Sequence, residues 1–257
     1  MISINCKFDS QILKTRVPLD VYLPDKMDYM AEPVPPEERY KFAPLKTLYA
    51  LHGAWDDASQ WVEQTSILRM AQDKNIAVVM PSVGNSFYAD TLYGLDYEAF
   101  LIHEVTGFAR GIFPLSYKRE DNYIIGTSMG GYGALNAAIK TGYFSKAVLL
   151  SPVVDISYSA RLLRTFGLNT DQTVGRWKEV RGSEKDILTM LDNLEGDYSK
   201  LPEIYMVCGT EDYIYETNKR YAAEFDKRGI TNTFKEYPGL HEWAFWDAHL
   251  KECMDWL

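Results

Sequence analysis

From Thr47 onward the chain alternates short, mostly apolar runs with stretches of helical periodicity, and that rhythm leaves few folds open. The runs are Thr47–Leu51 (TLYAL), Ile76–Met80 (IAVVM), Tyr123–Ile125, Ala147–Leu150, Ile204–Val207 and Thr233–Tyr237. Residues 59–73, 96–112, 130–140, 216–228 and 246–257 carry apolar side chains at helical spacing. A strand that is apolar on both faces needs cover on both faces. Short apolar strands separated by helices therefore predict an α/β fold, a mostly parallel central sheet with helices on either side.

Two further strands, 2–8 and 16–23, precede this pattern. Residues 24–44 hold Pro24, Pro33, Pro35, Pro36, Pro44 and many charges, which predicts a long surface excursion with little regular structure. Its plain reading is a solvated loop; its functional reading is an oligomer contact or a rim to a cleft. The rhythm breaks at residues 152–202, where Gly167, Gly175, Gly182 and Gly196 separate amphipathic pieces around 158–166 and 184–194. That stretch is too long for an ordinary connection and has no strand pattern. We read it as a small helical, cap-like insertion over the sheet edge that carries the strand ends. Because the strand–helix rhythm resumes after it, residues 1–257 are expected to form one domain.

Composition narrows the function classes. Lys and Arg number 27 against 36 Asp and Glu, a net charge of −9, and no basic cluster offers a face to nucleic acid. No stretch approaches the roughly 18 apolar residues of a membrane span, and the opening MISINCKFDS lacks the apolar centre of a secretory signal. Cys6, Cys208 and Cys253 are odd in number and show no CxxC spacing, which points to free thiols in a reducing compartment. The expectation is a cytoplasmic protein with a small-molecule partner and no membrane or nucleic-acid partner.

The chemistry concentrates at Gly126-Thr127-Ser128-Met129-Gly130, a G-x-S-x-G pattern with an apolar strand leading in and a helix of small residues leading out. That setting forms a nucleophile elbow, in which a strained turn projects the serine oxygen above the strand ends. A serine hydroxyl needs a base within hydrogen-bond reach and an acid to orient that base, in the chain order Ser, acid, His. Of the 4 histidines, His241 and His249 follow Ser128. His241 stands on a Pro-Gly loop after the last strand run, whereas His249, like His103, lies inside a helical pattern. Asp212, on the loop after Ile204–Val207, is the candidate acid, with Asp155 the runner-up; neighbouring Glu211 would point elsewhere. His241-Glu242 and His103-Glu104 both lack the second histidine of HExxH, so a metal is not expected. The developing oxyanion needs two N–H donors. Met129, directly after the nucleophile, supplies one amide. Ala54, in the His52-Gly53-Ala54-Trp55 turn after the first core strand, is the candidate for the other, and His52 reads as structural. Trp55, Phe87, Tyr88, Met129 and Trp243 are candidate pocket residues, with core or cleft wall as the plain alternative for Phe87 and Trp243.

These stretches resemble the esterase family that includes tributyrin esterases and S-formylglutathione hydrolases, nearest the small bacterial tributyrin-esterase type. The likeness rests on Leu51-His-Gly53 with Ser59-Gln-Trp61, Val79-Met-Pro81 with Gly84-Asn-Ser-Phe-Tyr88, Gly126–Gly133, Cys208–Asp212, and His241-Glu-Trp243 with Phe245-Trp246. The resemblance implies an α/β-hydrolase fold, no cofactor, an oligomer, and hydrolysis of short-chain acyl esters by Ser128, Asp212 and His241. It is imperfect at Ala54-Trp55-Asp56-Asp57-Ala58, where relatives often carry a Gly- and Asn-containing turn. Alternative substrates are feruloyl or acetyl groups on plant carbohydrate, with Trp177 of the insertion as a stacking candidate, or a thioester of the S-formylglutathione kind. An acyltransferase and a non-catalytic scaffold are the remaining readings.

Overall fold

The computed structural model describes residues 1–25, 32 and 34–257, apart from the Trp177 side chain. Its centre is an 8-stranded sheet in the order β1-β2-β4-β3-β5-β6-β7-β8. The strands are β1 (Ile2–Asp9), β2 (Arg16–Leu23), β3 (Lys46–Leu51), β4 (Ile76–Pro81), β5 (Asn122–Thr127), β6 (Lys146–Leu150), β7 (Glu203–Gly209) and β8 (Asn232–Tyr237). All neighbours from β4 through β8 pair in parallel, and β2 runs antiparallel to both of its neighbours. The predicted α/β architecture is therefore the one formed.

Alternation along β3 explains the layering. Tyr49 and Leu51 join one apolar cluster, Leu48 and Ala50 the other, as the two-residue period of a strand requires. On the first face the helix Met129–Thr141 packs with Tyr132 and Leu135, and the helix Tyr215–Lys227 packs with Tyr221 and Phe225. Trp61, Ile67, Trp246 and Leu250 cover the second face, from the helices Ser59–Gln64, Ile67–Asp73 and Trp243–Trp256. The small residues of Met129–Thr141 let that helix lie close on β5 and β6, and nearly its whole length is buried.

The helical reading of 96–112 is met with a local change, a π-helical stretch at Phe100–Val105 between Tyr97–Ala99 and Thr106–Ile112. Residues 152–202 form the helices Ile156–Thr165, Trp177–Val180 and Ile187–Asp192. Their Leu163, Val180, Ile187 and Met190 belong to the same buried cluster as Tyr49 and Leu51. In the excursion 24–44, residues 26–31 and 33 lie outside the described residues. Its described part departs from the expectation of little regular structure by one turn of helix, Pro36–Arg39. Pro36 sets the backbone angle of its first position, and Arg39 pairs with Asp25 at 2.8 Å. Among the described residues no helix is long and apolar enough to cross a membrane.

Candidate active site

The loops that leave β3, β5, β7 and β8 emerge at the carboxyl ends of parallel strands, where open α/β sheets hold their ligands. Ser128 stands between β5 and the helix Met129–Thr141 with φ 50° and ψ −115°. This is an unfavourable region for any residue with a side chain, and it turns Oγ away from the strand. The turn is possible because a Cβ on Gly126 would lie 2.1 Å from the Gly130 carbonyl oxygen. The Ser128 N–H donates to the Leu150 carbonyl (3.0 Å), and its own carbonyl accepts from Gly131 and Val153 (3.0 and 2.9 Å). The elbow is thus bolted to β6 and to the start of the insertion.

Facing it, Ser128 Oγ lies 2.9 Å from His241 Nε2, and His241 Nδ1 lies 2.8 Å from Asp212 Oδ2. An ionised carboxylate only accepts, so Nδ1 carries the proton and Nε2 is free to accept from the serine hydroxyl. The other Asp212 oxygen accepts from the Ile214 N–H at 3.0 Å. Glu211 does point elsewhere, and usefully so. Its carboxylate accepts from the Gly239 N–H, and its own N–H donates to the Gly239 carbonyl at 3.1 Å. The Gly239 N–H, its strongest partner, holds the Glu211 carboxyl below its ordinary range. The acid loop and the base loop are laced together two residues before His241. Around the imidazole, Tyr213 lies tilted at 4.5 Å and Trp246 meets it edge-on at 5.1 Å between ring centres.

The rival residues have other work. Asp155 caps the helix Ile156–Thr165 by accepting from Tyr158 N–H (2.9 Å), and its second oxygen pairs with Arg220. His249 stacks on Tyr237 at 4.1 Å, with Nδ1 3.3 Å from Glu252.

After β3, His52 is a buried clamp. Its Nε2 accepts from Val83 N–H (3.0 Å), so Nδ1 bears the proton and donates to the Gly53 carbonyl (2.8 Å). Burial holds this imidazole below its ordinary pKa. The turn it fixes places the Gly53 backbone beside Ser128, where a Cβ on Gly53 would be 3.6 Å from Ser128 Cβ. Ala54 follows at the cleft wall. The Met129 amide heads its helix, where N–H groups have no intrahelical acceptor. Trp55 has a positive φ of 65°, and its N–H is held by Asn85 Oδ1 at 2.7 Å.

A cleft of about 420 Å³ opens above Ser128. Trp55 and Trp243 line it, together with Asp56, Phe166, Tyr213, Glu242 and Trp246, which the sequence argument did not assign to it. Asp56 is half-buried, and that burial raises its pKa. Phe87 and Tyr88 are not in the cleft wall. Both are fully buried, with φ of 59° and 51° turning their rings inward. Tyr88 Oη donates to the His52 carbonyl at 3.2 Å, so it supports the turn from behind. Met129 is likewise fully buried and is not in the cleft wall. Trp177 begins a helix of the insertion, and its side chain lies outside the described residues.

Comparison with known proteins identifies the family of the chain. The sequence profile of the family described as "Putative esterase" matches residues 10–257. An acetyl esterase of Caldicellulosiruptor saccharolyticus is 30% identical over 266 residues, covering 100% of this chain and 98% of the relative. Two Staphylococcus aureus structures are each 32% identical and cover 99% of this chain. The fluorophosphonate-binding serine hydrolase F, solved with substrate bound, superposes with a TM-score of 0.87 over 97% of its length. An S-formylglutathione hydrolase superposes with a TM-score of 0.85 over 98% of its length.

Proposed function

The chain belongs to this esterase family, and from that premise we propose that it is a serine carboxylesterase that hydrolyses short-chain acyl esters through an acyl-Ser128 intermediate. One observation carries the reading: Ser128 Oγ, His241 and Asp212 form a continuous hydrogen-bonded relay, 2.9 and 2.8 Å, at the floor of an open cleft.

In the first step His241 Nε2 takes the Ser128 proton as Oγ bonds to the ester carbonyl carbon. The carbonyl oxygen becomes an oxyanion, held by the amides of Met129 and Ala54. One such donor is typically worth a factor of about 10²–10³ in rate. Collapse breaks the carbon–oxygen bond to the alcohol, which leaves with the proton from His241. Water then attacks the acyl-serine, giving a proton to His241 and releasing the acid as that proton returns to Ser128. Asp212 holds the imidazole in the required tautomer and stabilises the imidazolium in both steps.

Charge in the cleft favours an oxygen ester over a thioester of the glutathione kind. Asp56 and Glu242 stand in its wall, and no lysine or arginine lines it among the described residues. An anionic leaving group would meet two carboxylates and no counter-charge there. The test is p-nitrophenyl acetate hydrolysis and fluorophosphonate labelling of wild type and Ser128→Ala. Loss of both in a variant with an unchanged circular dichroism spectrum is expected. Retention of either near the wild-type level would remove Ser128 from the mechanism.

A further inference from the structure

The wall of the Ser128 cleft joins aromatic faces to carboxylates. Trp55 and Phe166 each show 58% of their surface to solvent and Tyr213 shows 41%, although all three line the cleft. Trp55 is held outward at a positive φ of 65° by the hydrogen bond from its N–H to Asn85 Oδ1. Phe166 and Tyr213 meet at 6.0 Å between ring centres, and Tyr213 lies in turn against His241. Open aromatic faces thus reach the cleft from the turn after β3, from the insertion and from the acid loop.

Asp56 stands among them and close to the nucleophile. A Cβ added to Gly53 would lie 3.2 Å from Asp56 Oδ2 and 3.6 Å from Ser128 Cβ, so the carboxylate and the serine border the same side of this glycine. The third atom at that point is Thr127 Oγ1, also at 3.6 Å, a buried hydroxyl with no hydrogen-bond partner among the described residues. Asp56 forms no ion pair among the described residues, and the charge that acts on it is the like charge of Asp57. Glu242 adds a second carboxylate to the wall directly after His241. An uncharged ligand that filled this space would strip water from a carboxylate and offer it no partner, which is costly. The oxyanion that forms at Ser128 also has the sign that Asp56 repels. A cation in the bound substrate relieves both.

The rings favour the same kind of ligand. An aromatic face attracts an ammonium group through the negative charge above the ring plane, most strongly where water is excluded. We propose that the cleft takes acyl esters of a cationic alcohol, one whose ammonium group is quaternary or protonated. Asp56, with Glu242, balances its charge, and Trp55, Phe166 and Tyr213 pack against its methyl or methylene groups. The alcohol leaves with the proton from His241, on the side of the cleft where Glu242 adjoins that histidine, and the acyl group stays on Ser128. This rests on the serine-esterase reading and names its alcohol. The net charge of −9 also draws cations from solution, so the local site has to be told apart from that general field.

The experiment compares kcat/KM for acetylcholine with that for dimethylbutyl acetate, the uncharged isostere in which carbon replaces nitrogen. Wild type, Asp56→Asn, Glu242→Gln and Glu195→Gln are measured at low salt, with p-nitrophenyl acetate run in parallel. Glu195, exposed on the loop before β7, lies outside the cleft wall and controls for net charge. Wild type is expected to favour the cation by about tenfold, the size of a good contact between a cation and aromatic rings. Asp56→Asn is expected to cut that ratio by about threefold or more, and the ratio cancels any loss of activity common to both substrates. Glu242→Gln, at an exposed position, reads the same effect should Asp56→Asn not fold. Glu195→Gln is expected to leave the ratio in place. A ratio near one in wild type, or one that survives both cleft variants, overturns the cation site. So does a fall in Glu195→Gln as large as theirs, which would make the preference a property of the whole surface. If wild type hydrolyses p-nitrophenyl acetate without preferring the cation, the cation site alone fails. If it hydrolyses no ester at all, the esterase reading fails and takes the cation site with it.

Discussion

Replacing Ser128 by glycine and, separately, by alanine measures the elbow geometry without reference to activity. Both variants lose the hydroxyl and its 2.9 Å contact to His241, so that loss cancels between them. What remains is the backbone at φ 50° and ψ −115°. Alanine keeps a Cβ there and keeps the strain, about 1–3 kcal/mol. Glycine releases it, but its freer unfolded chain costs about 0.4–1 kcal/mol relative to alanine. The balance favours glycine by roughly 0.5–2 kcal/mol, the reverse of the order at most positions. For a chain of 257 residues, 1 kcal/mol moves Tm by about 2–4 °C, so the glycine variant should melt a few degrees above the alanine variant. Thermal and urea unfolding of the pair, with equal urea slopes, would establish it. An alanine variant as stable as the glycine variant, or more so, would mean that the backbone at 128 is relaxed, and the elbow argument would fail.

Two other expectations follow from the same contacts. Asp212→Asn should lower kcat by about 10⁴ with little change in KM, because an amide presents the wrong partner to His241 Nδ1. Asp155→Ala should stay within a few-fold of wild type in turnover yet lose about 1 kcal/mol of stability with its helix cap; steady-state kinetics and urea melts of the two separate the roles, and comparable kcat losses would refute the assignment. Stability should also fall on acidification through His52. Its folded pKa is depressed by burial below 6.5, so the unfolded chain takes up a proton first as pH drops. The contribution is whole above 6.5 and is lost as pH falls toward the folded value. Urea unfolding at pH 7.5 and 5.0 should therefore show a smaller pH effect in His52→Gln than in wild type, and equal effects would rule out the neutral clamp.

How much of this could be seen in the sequence depends on how local each cause is. The parallel core was legible because β3–β7 are apolar on both faces, and only a covered sheet accommodates that. Gly126 and Gly130 advertised the elbow, because a Cβ at either would overlap backbone atoms that must approach there. His241 and Asp212 were accessible as polar residues on loops directly after strand runs. Phe87 and Tyr88 misled because the turn carrying them has positive φ at both positions, which reverses the side expected to face the cleft. The π-helical turn at Phe100–Val105 is too short for its different period to register in a pattern of apolar residues.

The parts that escaped are those that depend on distant segments meeting. Glu211 looked idle in sequence, yet its function lies in Gly239, 28 positions away, whose amide it holds. Phe166 reaches the cleft because the insertion folds back over the strand ends, and Asp56 enters it from the turn after β3. This division has a physical basis. The nucleophile must be strained, so its requirement is written into adjacent glycines. The base must instead be held still while it receives and returns a proton. Two loops do this by bonding to each other through Glu211 and Gly239, while Tyr213 and Trp246 pack against the imidazole ring. A single segment cannot encode such a constraint, because each half of it is an ordinary loop until the other arrives.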